Sequence, residues 1–303
     1  MLGRQRAACH LGGLAIFTAE SGAWGQRIRR RVWQMAGAVA LPPASGGVWE
    51  KSGCPFRPLP RRLTFLGMSK LRVDIWSDIA CPWCYVGKRR FEAALAQFPH
   101  RDAVEVVWRA FELDSTAPRV RDAKVSYSQR LSQKYGTPVA QADAMIARMT
   151  EVAAKDGLEF RFDKIQPGNT FDAHRVLHLA HERGVQDAVK ERLLRAYMTE
   201  GEAIGEPEVL VRLAAQAGLD AAEVRQMLAS KQYEREVRAD EAQAQANRIS
   251  GVPFFVFGGR FALSGAQPSE TILQVLWRAW EETMPALPLG VTEGATCGPD
   301  GCA

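Results

Sequence analysis

Two cysteines three positions apart, Cys81 and Cys84, are the residues whose type and spacing best suit chemistry in this sequence. Cysteine attacks as the thiolate, and the pKa of a free thiol is about 8.5. Residues three positions apart share one face of a helix, so these two sulfurs can close a disulfide. The spacing indicates a site for dithiol–disulfide exchange.

The residues around the pair predict the strand and the helix that would position it. Residues 71–77 alternate apolar and more polar side chains, which is typical of a strand. From Pro82 onward, apolar residues recur every three to four positions, and proline is favoured in the first turn of a helix. We therefore expect Cys81 at the helix N-cap and Cys84 one turn inside. The positive end of the helix dipole should then lower the pKa of Cys81.

A second pair, Cys297 and Cys302, lies in the Gly- and Pro-containing residues 285–303, which we expect to form a flexible tail. Two interpretations stay open: the cysteines are incidental, or they form an accessory dithiol that passes electrons to or from the first pair. Four thiolates could also bind zinc. A helix-initiating pair and a distant tail are poor partners for one tetrahedron, so we expect no metal.

Other chemically suggestive residues are better explained by structure. His174, His178 and His181 share one helix face, but they alternate with apolar residues and no HExxH pattern accompanies them. We expect these histidines to pack rather than to bind metal. The basic run at residues 88–90 is expected to form a solvated helix face.

Composition limits the classes of function. The chain has 303 residues, of which 47% are hydrophobic, as in an ordinary globular protein. Of the net charge of +5, residues 1–67 carry +8, from ten Lys/Arg against two acids, which leaves −3 for residues 68–303. The basic pI therefore gives no reason to expect nucleic-acid binding. Six cysteines are too few for a disulfide scaffold in a chain of this length.

No apolar run approaches the roughly 18 residues that a membrane-spanning helix needs. The two apolar runs near the start are broken by glycine or glutamine and suit a signal peptide poorly. We expect a cytoplasmic protein without a membrane or nucleic-acid partner, and the oligomeric state stays open.

Periodicity along the chain predicts its organisation. Residues 1–67 show no sustained period and are interpreted as a disordered leader or a wrongly assigned start. Residues 104–110 predict a second strand, expected to be internal because it is largely apolar. Residues 251–263 predict a hairpin with a Gly-Gly turn, followed by a helix near 268–283. Helices are predicted between these regions near 125–135, 139–156, 170–183, 186–200, 207–217, 221–230 and 233–249, and residues 157–165 fit either a strand or a loop.

Three sequence phrases carry a family resemblance: DIWSDIACPWCYVGKRRFE, NTFDAHRVLHLA and GVPFFVFGGRFALSGAQP. They are similar to the DsbA-like thioredoxin-domain family, specifically its cytoplasmic FrnE branch, and the resemblance covers about residues 70–280. It implies an α/β, thioredoxin-like fold with a large all-helical insertion. The implied core comprises residues 68–111 and 250–284, and the implied insertion comprises residues 112–249.

The resemblance also implies activity as a thiol–disulfide oxidoreductase on protein or small-molecule disulfides, with a disulfide or dithiol protein as partner. In this family Cys81 matches the nucleophilic cysteine and Cys84 the resolving one. Pro82 and Trp83 match the variable pair that tunes the reduction potential. Trp83 stands where strongly oxidising relatives have histidine, so we expect a less oxidising potential.

Three further residues follow from the resemblance. Pro253 matches a proline held cis beside the active site, which presents the backbone of Val252 to an extended substrate. One departure concerns Ile75, which stands where thioredoxin and many relatives have a buried carboxylate. The resemblance therefore leaves open which group takes the proton from Cys84.

Two other classes of function stay open. The same fold includes glutathione-dependent isomerases and transferases of the kappa-class and 2-hydroxychromene-2-carboxylate isomerase types, but these typically have serine at the position of Cys81. A chaperone-like protein that binds clients in an apolar cleft of the helical block is the non-enzymatic alternative. We expect no bound cofactor, and glutathione remains open as a co-substrate.

Overall fold

The computed structural model describes residues 70–119, 125–283, 297–298 and 301–302. The predicted leader, residues 1–67, lies outside the described residues, as does most of the predicted tail.

A four-stranded sheet organises the described chain, with strand order β2-β1-β3-β4. Strands β1 and β2 are parallel and are joined through helix α1, whereas β3 is antiparallel to both β1 and β4. The strands are β1 (Leu71–Ser77), β2 (Val104–Ala110), β3 (Phe254–Phe257) and β4 (Phe261–Ser264), and α1 is Pro82–Ala96. A βαβ unit and a hairpin distant in sequence therefore meet at β1.

The turn between β3 and β4 is the predicted pair of glycines. Gly258 and Gly259 have φ angles of 55° and 64°. A tight hairpin turn needs positive φ at such positions, which glycine adopts without steric cost.

The position of β2 differs from the expectation, because this strand lies at an edge of the described sheet. Its outer backbone groups bond to side chains instead. The Trp108 N–H donates to Gln186 Oε1, and Gln186 Nε2 donates to the Trp108 carbonyl, both at 2.9 Å. The Ala110 N–H donates to Asp240 Oδ2 at 3.0 Å. These side chains pair with the backbone N–H and C=O groups that a further strand would otherwise bind. An apolar strand can therefore lie at the edge of the sheet, and composition alone does not distinguish it from an internal strand.

Between β2 and β3 the described chain is helical. The helices there are α2 (Tyr127–Tyr135), α3 (Val139–Lys155), α4 (Phe171–Glu182), α5 (Gln186–Arg195), α6 (Pro207–Gln216), α7 (Ala221–Ala229) and α8 (Glu234–Ala246). The predicted helix at 186–200 ends as a π-helical turn, Ala196–Glu200. Residues 157–165 form turns and irregular chain rather than a strand, with Phe160 and Phe162 buried. A last helix, α9 (Ser269–Thr283), follows the hairpin.

Apolar side chains cover both faces of β1. One face packs against α1 and α9, and the buried residues of this cluster include Leu71, Val73, Ile75, Phe91, Phe255, Ile272 and Leu276. Trp76 points to the other face and packs with Ala244 of α8 and with Ile249. The sheet is therefore a middle layer between helices, and the end of β1 that leads to the cysteines is buried on both sides.

The basic run at residues 88–90 is not the solvated helix face that was expected. Lys88 is 1% exposed, and its ammonium pairs with Glu92, Asp187 and Glu191. Two of these carboxylates belong to α5, so the ion pairs attach α5 to α1. The basic run alone does not predict this burial, because two of the carboxylates that pair with Lys88 lie in a distant part of the sequence.

Candidate active site

The two cysteines lie where strand β1 passes into helix α1, as the sequence predicts. Cys81 is the N-cap, with φ −95° and ψ 113°, and Pro82 occupies the first turn. The Cys84 N–H donates to the Cys81 carbonyl at 3.1 Å. One sulfur therefore stands at the start of the helix and the other lies one turn inside.

Both thiols are free and largely shielded from solvent. Cys81 is 5% exposed and Cys84 is 0% exposed. The neighbouring side chain of Trp83 is 44% exposed. A molecule that approaches the pair meets Trp83 and the edge of Cys81 first, whereas Cys84 is covered.

The loop before β3 lies directly against Cys81. The thiol of Cys81 donates to the Val252 carbonyl, with the sulfur 3.6 Å from the oxygen. The peptide bond between Val252 and Pro253 is cis. Helix α1 approaches this loop at Gly87, where a Cβ atom would lie 2.8 Å from Pro253 Cγ. The absence of a side chain at residue 87 therefore permits the loop to pack beside the cysteines.

The charge of the reduced pair is distributed differently from the sequence prediction. The pKa of Cys81 lies well above its usual value, because the adjacent Cys84 sulfur favours its protonated form and because it is buried. The pKa of Cys84 is lowered: burial opposes its thiolate, but the Cys81 thiol, the Lys190 ammonium and the Ser77 hydroxyl outweigh that penalty. The expectation of a lowered pKa at Cys81 is therefore wrong for the reduced pair. A thiol that shares its proton with a neighbouring sulfur cannot be judged from the helix dipole alone.

Lys190 of α5 is a site residue that the sequence analysis missed. It is 0% exposed, and its Nζ donates to the Ser77 carbonyl at 3.4 Å. The same Nζ lies 5.4 Å from the centre of the Trp108 ring. Burial lowers the pKa of Lys190 to about 8, although the nearby sulfurs and Asp78 favour the ammonium. Nothing in the local sequence of α5 distinguishes this lysine from a surface lysine.

Asp78 and His174 form a buried pair beside the cysteines. Asp78 is 1% exposed and accepts hydrogen bonds from the amides of Leu113 at 2.8 Å and Ala80 at 3.3 Å. His174 Nε2 lies 3.6 Å from Asp78 Oδ1. Burial raises the pKa of Asp78, but His174 and the backbone amides overcome this and hold it below its usual value. Burial lowers the pKa of His174.

The second histidine of the predicted helix face also contacts a carboxylate. His178 Nε2 lies 3.1 Å from Asp240 Oδ2. Within the described ranges, no group of three or more His, Cys, Asp or Glu side chains is placed to hold a metal ion. The helix face therefore joins α4 to its neighbours through single histidine–carboxylate contacts.

The cysteines of the predicted tail lie opposite each other in a short strand pair. Strand β5 (Cys297–Gly298) is antiparallel to β6 (Gly301–Cys302), and the register aligns Cys297 with Cys302.

A free dithiol at the start of a helix, beside a loop that begins a hairpin of the same sheet, defines a thiol–disulfide oxidoreductase of thioredoxin-like fold. The chain belongs to the DSBA-like thioredoxin domain family, whose model matches residues 72–276. This confirms the family and the fold class inferred from the sequence phrases. The finer assignment to the FrnE branch stays a prediction.

Individual proteins are similar over most of the same region. A solved structure described as a probable DsbA oxidoreductase from Streptomyces coelicolor is 48% identical, covers 77% of this chain and 98% of its own, and superposes with a TM-score of 0.66. The uncharacterized protein YwbO of Bacillus subtilis is 30% identical over 62% of this chain and 87% of its own length. A putative protein disulfide isomerase from Nitrosomonas europaea, 19% identical over 70% of this chain and 98% of its own, shares the fold with a TM-score of 0.54.

None of the helices in the described part of the chain combines the length and the apolarity that crossing a membrane requires.

Proposed function

We propose that the chain exchanges disulfides with protein or small-molecule substrates through Cys81 and Cys84, with Cys81 as the nucleophile and Cys84 as the resolving thiol. The observation that carries this assignment is the contact of Cys81 with the loop before β3, at 3.6 Å from the Val252 carbonyl. Cys84 lies behind it and is fully buried. A substrate can therefore reach the outer sulfur but not the inner one.

The charge distribution suggests how the outer sulfur is activated. In the reduced protein, Cys84 loses a proton more readily than Cys81, so the proton that remains is on the Cys81 thiol. Movement of that proton to Cys84 leaves a thiolate on Cys81, which attacks one sulfur of the substrate disulfide. The bond between the two substrate sulfurs breaks, one substrate thiolate leaves, and a mixed disulfide with Cys81 forms.

Cys84 then attacks the Cys81 sulfur of that mixed disulfide and releases the second substrate thiolate. The result is a disulfide between Cys81 and Cys84 and a substrate reduced by two electrons. The same steps in reverse oxidise a substrate dithiol. The exposed ring of Trp83 and the backbone of Val252 are the proposed contacts for the bound substrate chain, and Pro82 and Trp83 are the proposed tuning residues.

A trapping experiment with a protein disulfide such as insulin tests the assignment. The C84S variant should accumulate a mixed disulfide with the substrate, because the resolving thiol is absent. The C81S variant should trap nothing and should not catalyse reduction. Equal trapping by both variants, or catalysis by C81S, would overturn the proposed roles.

Two further expectations belong to this proposal. Glutathione is proposed as a co-substrate rather than a bound cofactor, and it should regenerate the dithiol of the oxidised protein when added as the only thiol. A cytoplasmic location is proposed from the sequence, and fractionation of cells that express the native gene tests it.

A further inference from the structure

Lys190 is a buried cation with no carboxylate within salt-bridge distance in the described part of the chain. Its contacts there are the Ser77 carbonyl and the face of Trp108. Lys88, which is buried to a similar degree, has three carboxylate partners. Burying an ammonium without a counter-ion is unfavourable. An anionic group other than a carboxylate in direct contact must therefore stabilise the buried ammonium of Lys190.

The sulfur of Cys84 is the first source of that negative charge, ahead of the nearby Asp78 carboxylate and Cys81. Ser77 lies between the two groups: its carbonyl accepts from Lys190, and its hydroxyl stabilises a thiolate on Cys84. This hydroxyl is buried and has no conventional hydrogen-bond partner among the described residues, which fits a group that faces a sulfur. The attraction between Lys190 and Cys84 favours the charged form of each.

The other ionisable groups near Lys190 are poor proton acceptors. Asp78 is held as an anion by backbone amides and by His174, which lowers its pKa. His174 is kept neutral by burial, and its pKa is also lowered. Lys88 repels Lys190 but is neutralised by its own carboxylates. The pKa of Lys190, about 8, is close to that of an ordinary thiol, and proton transfer works best between groups of matched pKa.

We infer that Lys190 accepts the proton that Cys84 releases when it resolves the mixed disulfide on Cys81. This inference rests on the proposed function and adds the group that the departure at Ile75 left unassigned. The proton passes from the Cys84 thiol to the Lys190 amine, and the resulting thiolate attacks the Cys81 sulfur. The bond between Cys81 and the substrate sulfur breaks, its electron pair leaves with the substrate thiolate, and Lys190 is left as an ammonium.

The mixed disulfide prepares Lys190 for this role. The negative charge of the reduced cysteine pair, carried mainly by Cys84, favours the ammonium of Lys190. In the mixed disulfide, Cys81 is bonded to the substrate and Cys84 is a neutral thiol, so that charge is absent. The pKa of Lys190 then falls, its ammonium releases a proton to solvent, and the resulting neutral amine can accept the proton of Cys84.

The first test measures the thiolate directly in a chain with a single active-site sulfur. Absorbance titration of Cys84 in the C81S background is compared with the C81S/K190M double variant. We expect the pKa of Cys84 to rise by about one unit or more when Lys190 is replaced, since a nearby opposite charge shifts a pKa by about 1–3 units. An unchanged pKa would overturn the inference.

The second test measures resolution in a single turnover with a small disulfide. K190M should slow resolution by about 100-fold, the range of general acid–base contributions, and should lose the pH dependence that Lys190 confers. K155M removes an exposed lysine at the end of α3 and should leave the rate and the pH profile of resolution unchanged. If H174Q removed the pH dependence while K190M retained it, or if K155M matched K190M, Lys190 would not be the acceptor.

A measurement on the wild-type protein is independent of whether the variants fold. Nuclear magnetic resonance titration of labelled lysine side chains should give a higher pKa for Lys190 in the reduced protein than in the disulfide form. An equal pKa in both forms would contradict the inference. Trapping by C84S does not involve Lys190, so failure of this inference and failure of the proposed function are separate results.

Discussion

The side chain of Gln186 hydrogen-bonds both backbone groups of Trp108, donating through Nε2 to the carbonyl and accepting through Oε1 from the amide. Both residues are buried, so water cannot easily replace these bonds. One amide side chain thus closes the edge of β2 in the way that a neighbouring strand would.

Replacement of Gln186 by alanine should destabilise the fold by about 2–4 kcal/mol, because two buried backbone groups lose their partners at about 1–3 kcal/mol each. Urea denaturation gives the free energy of unfolding. Gln216, which is exposed and accepts a hydrogen bond from Arg192 Nε, provides a matched control. Q216A should change stability by less than about 0.5 kcal/mol. Similar costs for the two variants would show that the edge contact has no special role.

Replacement of Gly87 by alanine should impair disulfide exchange even though alanine favours a helix by about 1 kcal/mol. The added Cβ would lie 2.8 Å from Pro253 Cγ and would push the loop away from Cys81. The kcat/KM for insulin reduction should fall by about tenfold or more, because small displacements of positioning groups reduce rates strongly.

A glycine of the same loop controls for this substitution. A Cβ atom added at Gly251 would meet no other atom within 4 Å, so G251A should leave kcat/KM near that of the wild type. Full activity of G87A would mean that the contact with Pro253 does not position the loop.

Asp78 should make the fold sensitive to acid. Its pKa is lowered in the folded protein, so its stabilising contribution is complete above the unfolded value of about 3.9 and is lost as the pH falls through the lower folded pKa. The D78N variant lacks this contribution. The difference in unfolding free energy between wild type and D78N should therefore be largest near neutral pH and should shrink below about pH 4.

Asp163 provides the control for this pH dependence. Its pKa is also lowered, by Arg161, but the pair is exposed to solvent. D163N should therefore follow the wild-type acid denaturation curve closely. A difference for D78N that stays constant from pH 7 to pH 3 would contradict the role assigned to the Asp78 carboxylate.

The aligned cysteines of the tail lead to a prediction about electron transfer. If Cys297 and Cys302 act as an accessory dithiol, the C297S/C302S variant should turn over protein disulfides more slowly while the disulfide between Cys81 and Cys84 still forms. Steady-state kinetics and thiol counting after denaturation measure the two effects. Unchanged turnover would identify the tail cysteines as incidental.

Local patterns predicted the parts of the fold that local forces decide. The alternation in β1, the proline after Cys81 and the two glycines of the hairpin each act over a few residues, and the structure has those elements in place. The edge position of β2 was not predicted, because the side chains that bind its outer backbone groups, Gln186 and Asp240, lie far along the sequence.

The candidate site divides in the same way. The sequence located both cysteines, and the family resemblance indicated the Val252 loop. The order of the two pKa values depends on burial, on the contact between the two sulfurs and on Lys190, which lies 113 positions from the carbonyl of Ser77 that it contacts. A helix dipole is encoded locally, but a buried ammonium beside the inner sulfur exists only after the chain has folded.

Helix α5 contributes Gln186 at the sheet edge, Asp187 and Glu191 to the ion pairs of Lys88, and Lys190 beneath the cysteines. Local unfolding of this one helix would therefore abolish the reactivity of the two cysteines before the rest of the protein unfolds. Heat inactivation should precede the main calorimetric transition, and a graft that transplanted only the cysteine-bearing strand and helix would inherit the motif without its reactivity.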